Sequence, residues 1–228
     1  MNRMFSSSQT IVGILGTLHT EDLRTNYDYP LELLEKKISD FKPDLICGEV
    51  RPEDWDRYIS DSDYTGYLGP SEYRDSIIPL CEKNGIQFVP VDWFEWDLTN
   101  LSHFHDFTKE KQERLELELK ERYRLIFSIA HKGKTPFNCL EVDNHVKAKH
   151  DLLSKINPEV QNLTWVARNQ IMLHRIYEAI NSNQNKRILC VAGFEHNYYY
   201  FQKLKERVDI QILYPLDKNI LSPENMNE

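Results

Sequence analysis

The chain has 228 residues, 40% of them hydrophobic and 28% charged, with a formal net charge of -8. That is enough apolar material for a sizeable interior. The acidic balance excludes the surplus of lysine and arginine through which nucleic acid or an anionic membrane is bound. The cysteines, Cys47, Cys81, Cys139 and Cys190, are scattered with no Cys-x-x-Cys pair, so reduced and mostly buried thiols are expected rather than a disulfide framework. The apolar stretch from Ile11 to Leu15 is too short for a signal-peptide core, and nothing approaches the ~18 apolar residues of a membrane span. The expectation is a cytoplasmic protein with no membrane partner.

Short runs rich in Ile, Val and Leu alternate with helical patterns, the signature of crossover units and a mostly parallel central sheet in an α/β fold. The runs are Thr10 to Leu15, Asp44 to Gly48, Gln87 to Val91, Arg187 to Ala192 and Asp209 to Leu213. They are continuous rather than alternating, as strands buried on both faces are. Helical spacing predicts helices at Leu31 to Phe41 and Tyr73 to Asn84, the second stopped by Gly85. From about 98 to 185 strand character is missing and the spacing is helical. Phe104 to Ala130 reads as one helix or two, Val146 to Ile156 as another and Pro158 to Ile180 as a third, with breaks at Gly133, Pro136 and Asn157-Pro158. This predicts a single domain over 1–220 with a helical insertion or lid between the third and fourth strands, and a frayed tail from Leu221.

One short echo carries chemistry. Ile14-Leu-Gly-Thr-Leu-His19 and Val191-Ala-Gly-Phe-Glu-His196 are both apolar strands ending in Gly-x-x-His. In an open α/β sheet, ligands bind beyond the carboxyl ends of the strands, so two such turns on neighbouring strands bring both imidazoles to one pocket. Gly16 and Gly193 permit either a sharp turn or a close backbone approach there. Glu49 follows the second strand and Asp92 the third in the same way. Two histidines and a carboxylate form a recurrent ligand set for a divalent metal, which turns bound water into a nucleophile; manganese, cobalt and zinc all suit it. The same residues can also activate water without a metal.

In this order the motifs resemble the TraB/Tiki superfamily, which includes TraB, Tiki, erythromycin-esterase-like and ChaN-like proteins. The elements are Gly16-Thr-Leu-His19, the strand-end Glu49 of Asp44-Leu-Ile-Cys-Gly-Glu49, the pair Arg168-Asn169 in a helical pattern, and Gly193-Phe-Glu-His196. The Tiki branch implies a metal-dependent peptidase, with His19, Glu49 and His196 as metal ligands or catalytic groups. The ChaN-like branch implies haem or iron binding without turnover. The chain departs from the family's anchored and membrane-spanning members in showing no signal, anchor or span.

Further candidates each have a plain structural alternative. Arg168 either reaches the pocket, to hold a substrate carboxylate or orient Glu49, or pairs on the surface. Asp92 either binds metal or fixes a histidine tautomer, or caps a turn. Glu195 is a general base or a helix N-terminal carboxylate. His103 and His105 read as solvated helix-start residues rather than metal ligands. Tyr198, Tyr199 and Tyr200 are a helix's first turn packing on the sheet, or haem-iron ligands. The charged residues from Lys109 to Arg124 read as a solvated helix face. The expected activity is hydrolysis of an amide or ester bond in a small molecule or peptide.

Overall fold

The computed structural model describes residues 9–98 and 100–216; the tail from Leu221 lies outside them. Five parallel strands form one sheet: β1 (Thr10–Thr17), β2 (Leu45–Gly48), β3 (Gln87–Pro90), β4 (Arg187–Gly193) and β5 (Ile210–Leu213), in the order β3-β2-β4-β1-β5. The α/β architecture expected from the apolar runs is the one observed. β4 enters between β2 and β1, with Gly48 beside Val191 and Thr17 beside Gly193. The strand ends bearing Glu49, His196 and His19 are therefore neighbours, with β4 in the middle.

Helices cover both faces. On one side α2 (Leu31–Phe41) and α4 (Ile78–Asn84) pack through Leu34, Ile38, Phe41 and Ile78 against Ile46, Leu189 and Val191. That side also takes Ile126 of α5 (Lys109–Ser128) and Val142 and Val146 of α6 (Leu140–Ile156). On the other side α8 (Ala167–Ser182) presents Met172, Ile176 and Ile180 to Val12, Leu45, Ile188 and Cys190. α9 (Asn197–Leu204) adds Tyr200 and Leu204 there. The region predicted as an insertion thus contributes a sheet-covering helix and not only a lid. Cys47, Cys81 and Cys190 are buried free thiols within this packing.

Three helices escaped the spacing argument or extended it. α1 (Glu21–Asn26) occupies what reads as a polar turn; Thr20 caps it by accepting the Leu23 N–H, and Glu21 and Asp22 suit its N-terminal dipole. α3 (Pro52–Ser60) starts on a proline with Glu53 and Asp54 in its first turn. α6 begins six residues before the predicted Val146, at Leu140. α7 (Pro158–Gln161) runs through a π-helical turn, Asn162–Val166, into α8. A second π turn, Tyr73–Ile77, opens onto α4. Such turns widen a helix by one residue and often mark functional sites; here they carry Tyr73 and Trp165. No helix among the described residues is long and apolar enough to cross a membrane.

Tyr73 locks the strand ends in place. Its buried hydroxyl accepts the Glu49 N–H at 2.7 Å and donates to the Val191 carbonyl at 2.7 Å, bridging β2 and β4 where their ladder stops. Tyr73→Phe strands both backbone groups, and we expect a loss of about 1–3 kcal/mol in urea unfolding.

Candidate active site

Glu49 is 2% exposed, and a buried carboxylate needs partners for its charge. Its Oε1 accepts Arg168 Nη2 at 2.6 Å and its Oε2 accepts the Gly193 N–H at 2.7 Å. His19 Nε2 stands 3.5 Å from Oε2, and His196 Nε2 3.8 Å from Oε1. The two Gly-x-x-His turns, Glu49 and Arg168 therefore converge on one point. Together they wall a cavity of about 720 Å³ whose other sides are largely aromatic, including Trp93, Phe94, Trp96 and Trp165.

Each imidazole is held from behind. His19 Nδ1 is 2.8 Å from Glu72 Oε1, which also takes the Thr17 hydroxyl at 2.7 Å. A carboxylate only accepts, so this ring carries a proton on Nδ1. Asn169 Nδ2 donates to the Trp165 carbonyl, which leaves its Oδ1 to accept from His196 Nδ1 at 2.7 Å. His196 is thereby fixed as the Nδ1–H tautomer, with the lone pair of Nε2 toward the cavity. Trp165 stacks on His196, ring centres 4.6 Å apart.

Ionisation of the two rings is driven in opposite directions. Burial lowers the His196 value, and Arg168 and His19 hold it down against Glu49, to about 3. Burial also lowers that of His19, but Glu49 and Glu72 outweigh it and raise it to about 9. Burial pushes the Glu49 carboxyl up, and His19, Arg168 and His196 bring it down to about 2. At neutral pH the site holds an imidazolium, a neutral imidazole and a carboxylate side by side.

The glycines serve close approach. An added Cβ at Gly193 would lie 2.4 Å from His19 Nε2, and at Gly16 2.7 Å from the Phe194 Cα. Neither has a positive φ, so of the two roles open from the sequence, room for the neighbour is the one observed. Asn138 adds a clamp, accepting the Gly16 N–H and donating to the Gly16 carbonyl.

The remaining candidates divide between the readings open from the sequence. Arg168 reaches the pocket, where its Nε and Nη2 bond Asp92 and Glu49 and so orient Glu49. Asp92 is fully buried behind Arg168 and fixes no histidine tautomer, a task that falls to Glu72 and Asn169. Glu195 lines the cavity but is paired with Lys149 Nζ at 2.5 Å, which holds it far below the usual carboxylate range despite burial and unfits it as a base. His103 is half-buried, lines the cavity and bonds Gln161, whereas His105 is exposed beside Asp106. The tyrosines Tyr198 and Tyr200 of α9 pack behind the cavity wall, against Trp165 and Met172. Glu72, Tyr73, Asn138, Lys149 and Trp165 went unnoticed in the sequence because no motif or strand end marks them.

The donor set meets one demand of a divalent metal: both rings are held through Nδ1 with Nε2 toward one carboxylate. Glu49 already carries Arg168 and the Gly193 N–H, and among the described residues no group of three His, Cys, Asp or Glu side chains is set to hold a metal ion. As the side chains stand, the positive charge beside Glu49 comes from Arg168 and His19.

In comparisons with known proteins, no family model, no curated protein and no solved structure matches the chain.

Two outcomes follow from the geometry. Gly193→Ala places a methyl group against His19, so folding should persist while the His19 imidazole proton resonances shift and its raised pKa falls, read by NMR titration. For stability, the His196 contribution is complete above about 6.5 and lost as pH falls toward about 3, while that of His19 is complete below about 6.5 and lost as pH rises through about 9. The two imidazoles thus set a stability maximum near pH 6.5 in urea titrations at graded pH, and His19→Gln should remove their alkaline decline.

Proposed function

We propose that the chain is a hydrolase of the TraB/Tiki type that cleaves an amide or ester bond in a small-molecule or peptide substrate, in the cytoplasm, by activating water without a metal. The observation that carries this reading is the pair of imidazoles flanking Glu49 with their ionisation pushed apart. Such a split separates a proton acceptor from a proton donor. The order of the family motifs supports the reaction class, and their convergence in space supports their acting as one site.

In this scheme His196 Nε2 takes a proton from the attacking water. The Nε2–H of the His19 imidazolium faces the cavity and stabilises the charge that develops on the carbonyl oxygen. His196 is a weak base at rest partly because His19 is charged beside it. Transfer of the His19 proton toward the oxyanion removes that charge and strengthens the base as water adds, and the proton returns to His19 as the carbonyl re-forms and the leaving group departs. Glu49 stays ionised between the rings, and Arg168 and the Gly193 N–H hold it in place. The leaving amine or alcohol collects its proton from the His196 imidazolium.

His19→Ala and His196→Ala should each lower kcat/KM by at least ~10²-fold on a responsive ester or amide with the circular dichroism unchanged. Unfolding of either variant with normal specific activity in its folded fraction would overturn the scheme. Activity should fall as pH rises through about 9 as His19 loses its proton, and Glu72→Gln should move that limb to lower pH. Elemental analysis and an absorption spectrum separate the other readings: near-stoichiometric manganese, cobalt or zinc that is lost in the double histidine variant replaces the metal-free scheme by a metal-assisted one, and a haem band replaces hydrolysis by binding.

A further inference from the structure

Glu195 is a second carboxylate on the cavity wall, 22% exposed at its side chain, and the hydrolytic scheme leaves it without a task. Only Oε2 is committed, to Lys149 Nζ at 2.5 Å and His150 Nε2 at 3.2 Å. Among the described residues no donor is hydrogen-bonded to Oε1. The backing is directional. Gln161 Nε2 donates to His150 Nδ1 at 3.0 Å, so His150 carries its proton on Nε2 and points it at Glu195. Gln161 Oε1 in turn meets His103 Nε2 at 2.8 Å. Lys149, 1% exposed, is braced by the Tyr123 hydroxyl at 3.1 Å. A row of buried polar side chains thus holds one carboxylate by one oxygen at the edge of a cavity.

The surrounding charges say what that oxygen can receive. Arg168 is matched by Glu49 and Asp92, and His19 by Glu49 and Glu72. Among the described residues each of these two wall cations thus faces two carboxylates, and Glu95 adds further negative charge to the lining, so the balance favours a cation over an anion. The remaining walls suit an apolar body: Tyr67, Trp96, Leu101 and Leu163 are exposed large apolar side chains, and all line this cavity. Aromatic faces also attract a cation.

We propose that Glu195 determines specificity, its uncommitted oxygen Oε1 receiving a protonated amine of the substrate, so that preferred substrates are amides or esters carrying a free ammonium group beside an apolar or aromatic body. The assignment rests on the hydrolase reading for its reaction but not for its binding.

The test titrates the intact protein with L-phenylalanine amide, its N-acetyl derivative and phenyllactamide, following the fluorescence of the cavity tryptophans, while ammonia release from the same solutions reads turnover. The amine should bind at least ~10-fold more tightly than either neutral analogue, consistent with a charge-assisted hydrogen bond, and Glu195→Gln should abolish the preference. Equal binding of all three by the wild-type protein, or phenyllactamide binding as tightly as the amine, overturns the assignment; so does a preference that survives in folded Glu195→Gln. If that variant fails to fold because Lys149 loses its partner, the wild-type comparison decides. A preference without ammonia release supports the Glu195 assignment while counting against hydrolysis of this amide.

Discussion

A single buried negative charge organises the functional end of this protein. Glu49 lies at the carboxyl end of β2, almost without solvent, and such a charge is tolerated only if it is neutralised and hydrogen-bonded. Arg168, the Gly193 N–H and two imidazoles meet that demand from α8, β4 and the turn after β1. The demand is structural as well as chemical, because it joins three strand ends and the helix that covers them.

The same charge explains the inequality of the two histidines. His19 is 38% exposed at its side chain and has a second carboxylate, Glu72, behind it, so its proton is held. His196 is buried, is backed by a neutral amide, and shares Glu49 with a guanidinium, so its proton is lost. The identical motifs therefore yield different groups, and the difference lies in residues outside both motifs. A pair of equal histidines would have no division into donor and acceptor.

The π turns and the buried polar network extend this organisation into the helices between β3 and β4. Trp165, in one π turn, lies between His150 and His196, with ring-centre distances of 3.8 and 4.6 Å. It connects the carboxylate clamp at Glu195 to the Glu49 cluster through one stack of rings. The helical region therefore supplies Arg168, Asn169, Trp165 and the Lys149 and His150 side chains that hold Glu195.

The strands, their parallel arrangement and the placement of His19, Glu49 and His196 at strand ends were legible in the sequence, because burial on both faces leaves continuous apolar runs and because the chain must turn just beyond them. The Arg168-Asn169 pair was visible only through a resemblance. What the sequence could not express was strand order: β4 lies between β1 and β2, and that pairing of segments as distant in the chain as Ile11 and Arg187 decides that the two Gly-x-x-His turns face one carboxylate. Glu72, Tyr73, Asn138 and Lys149 were hidden for the same reason. A buried polar residue inside a helix or loop has no periodicity of its own, and its partner is chosen by packing between elements distant in the chain. The short helices α1 and α3 lacked enough apolar positions to show a period, although their caps and acidic first turns were written in the sequence. Local physics set the elements and the strand-end chemistry; tertiary packing alone decided which histidine keeps its proton.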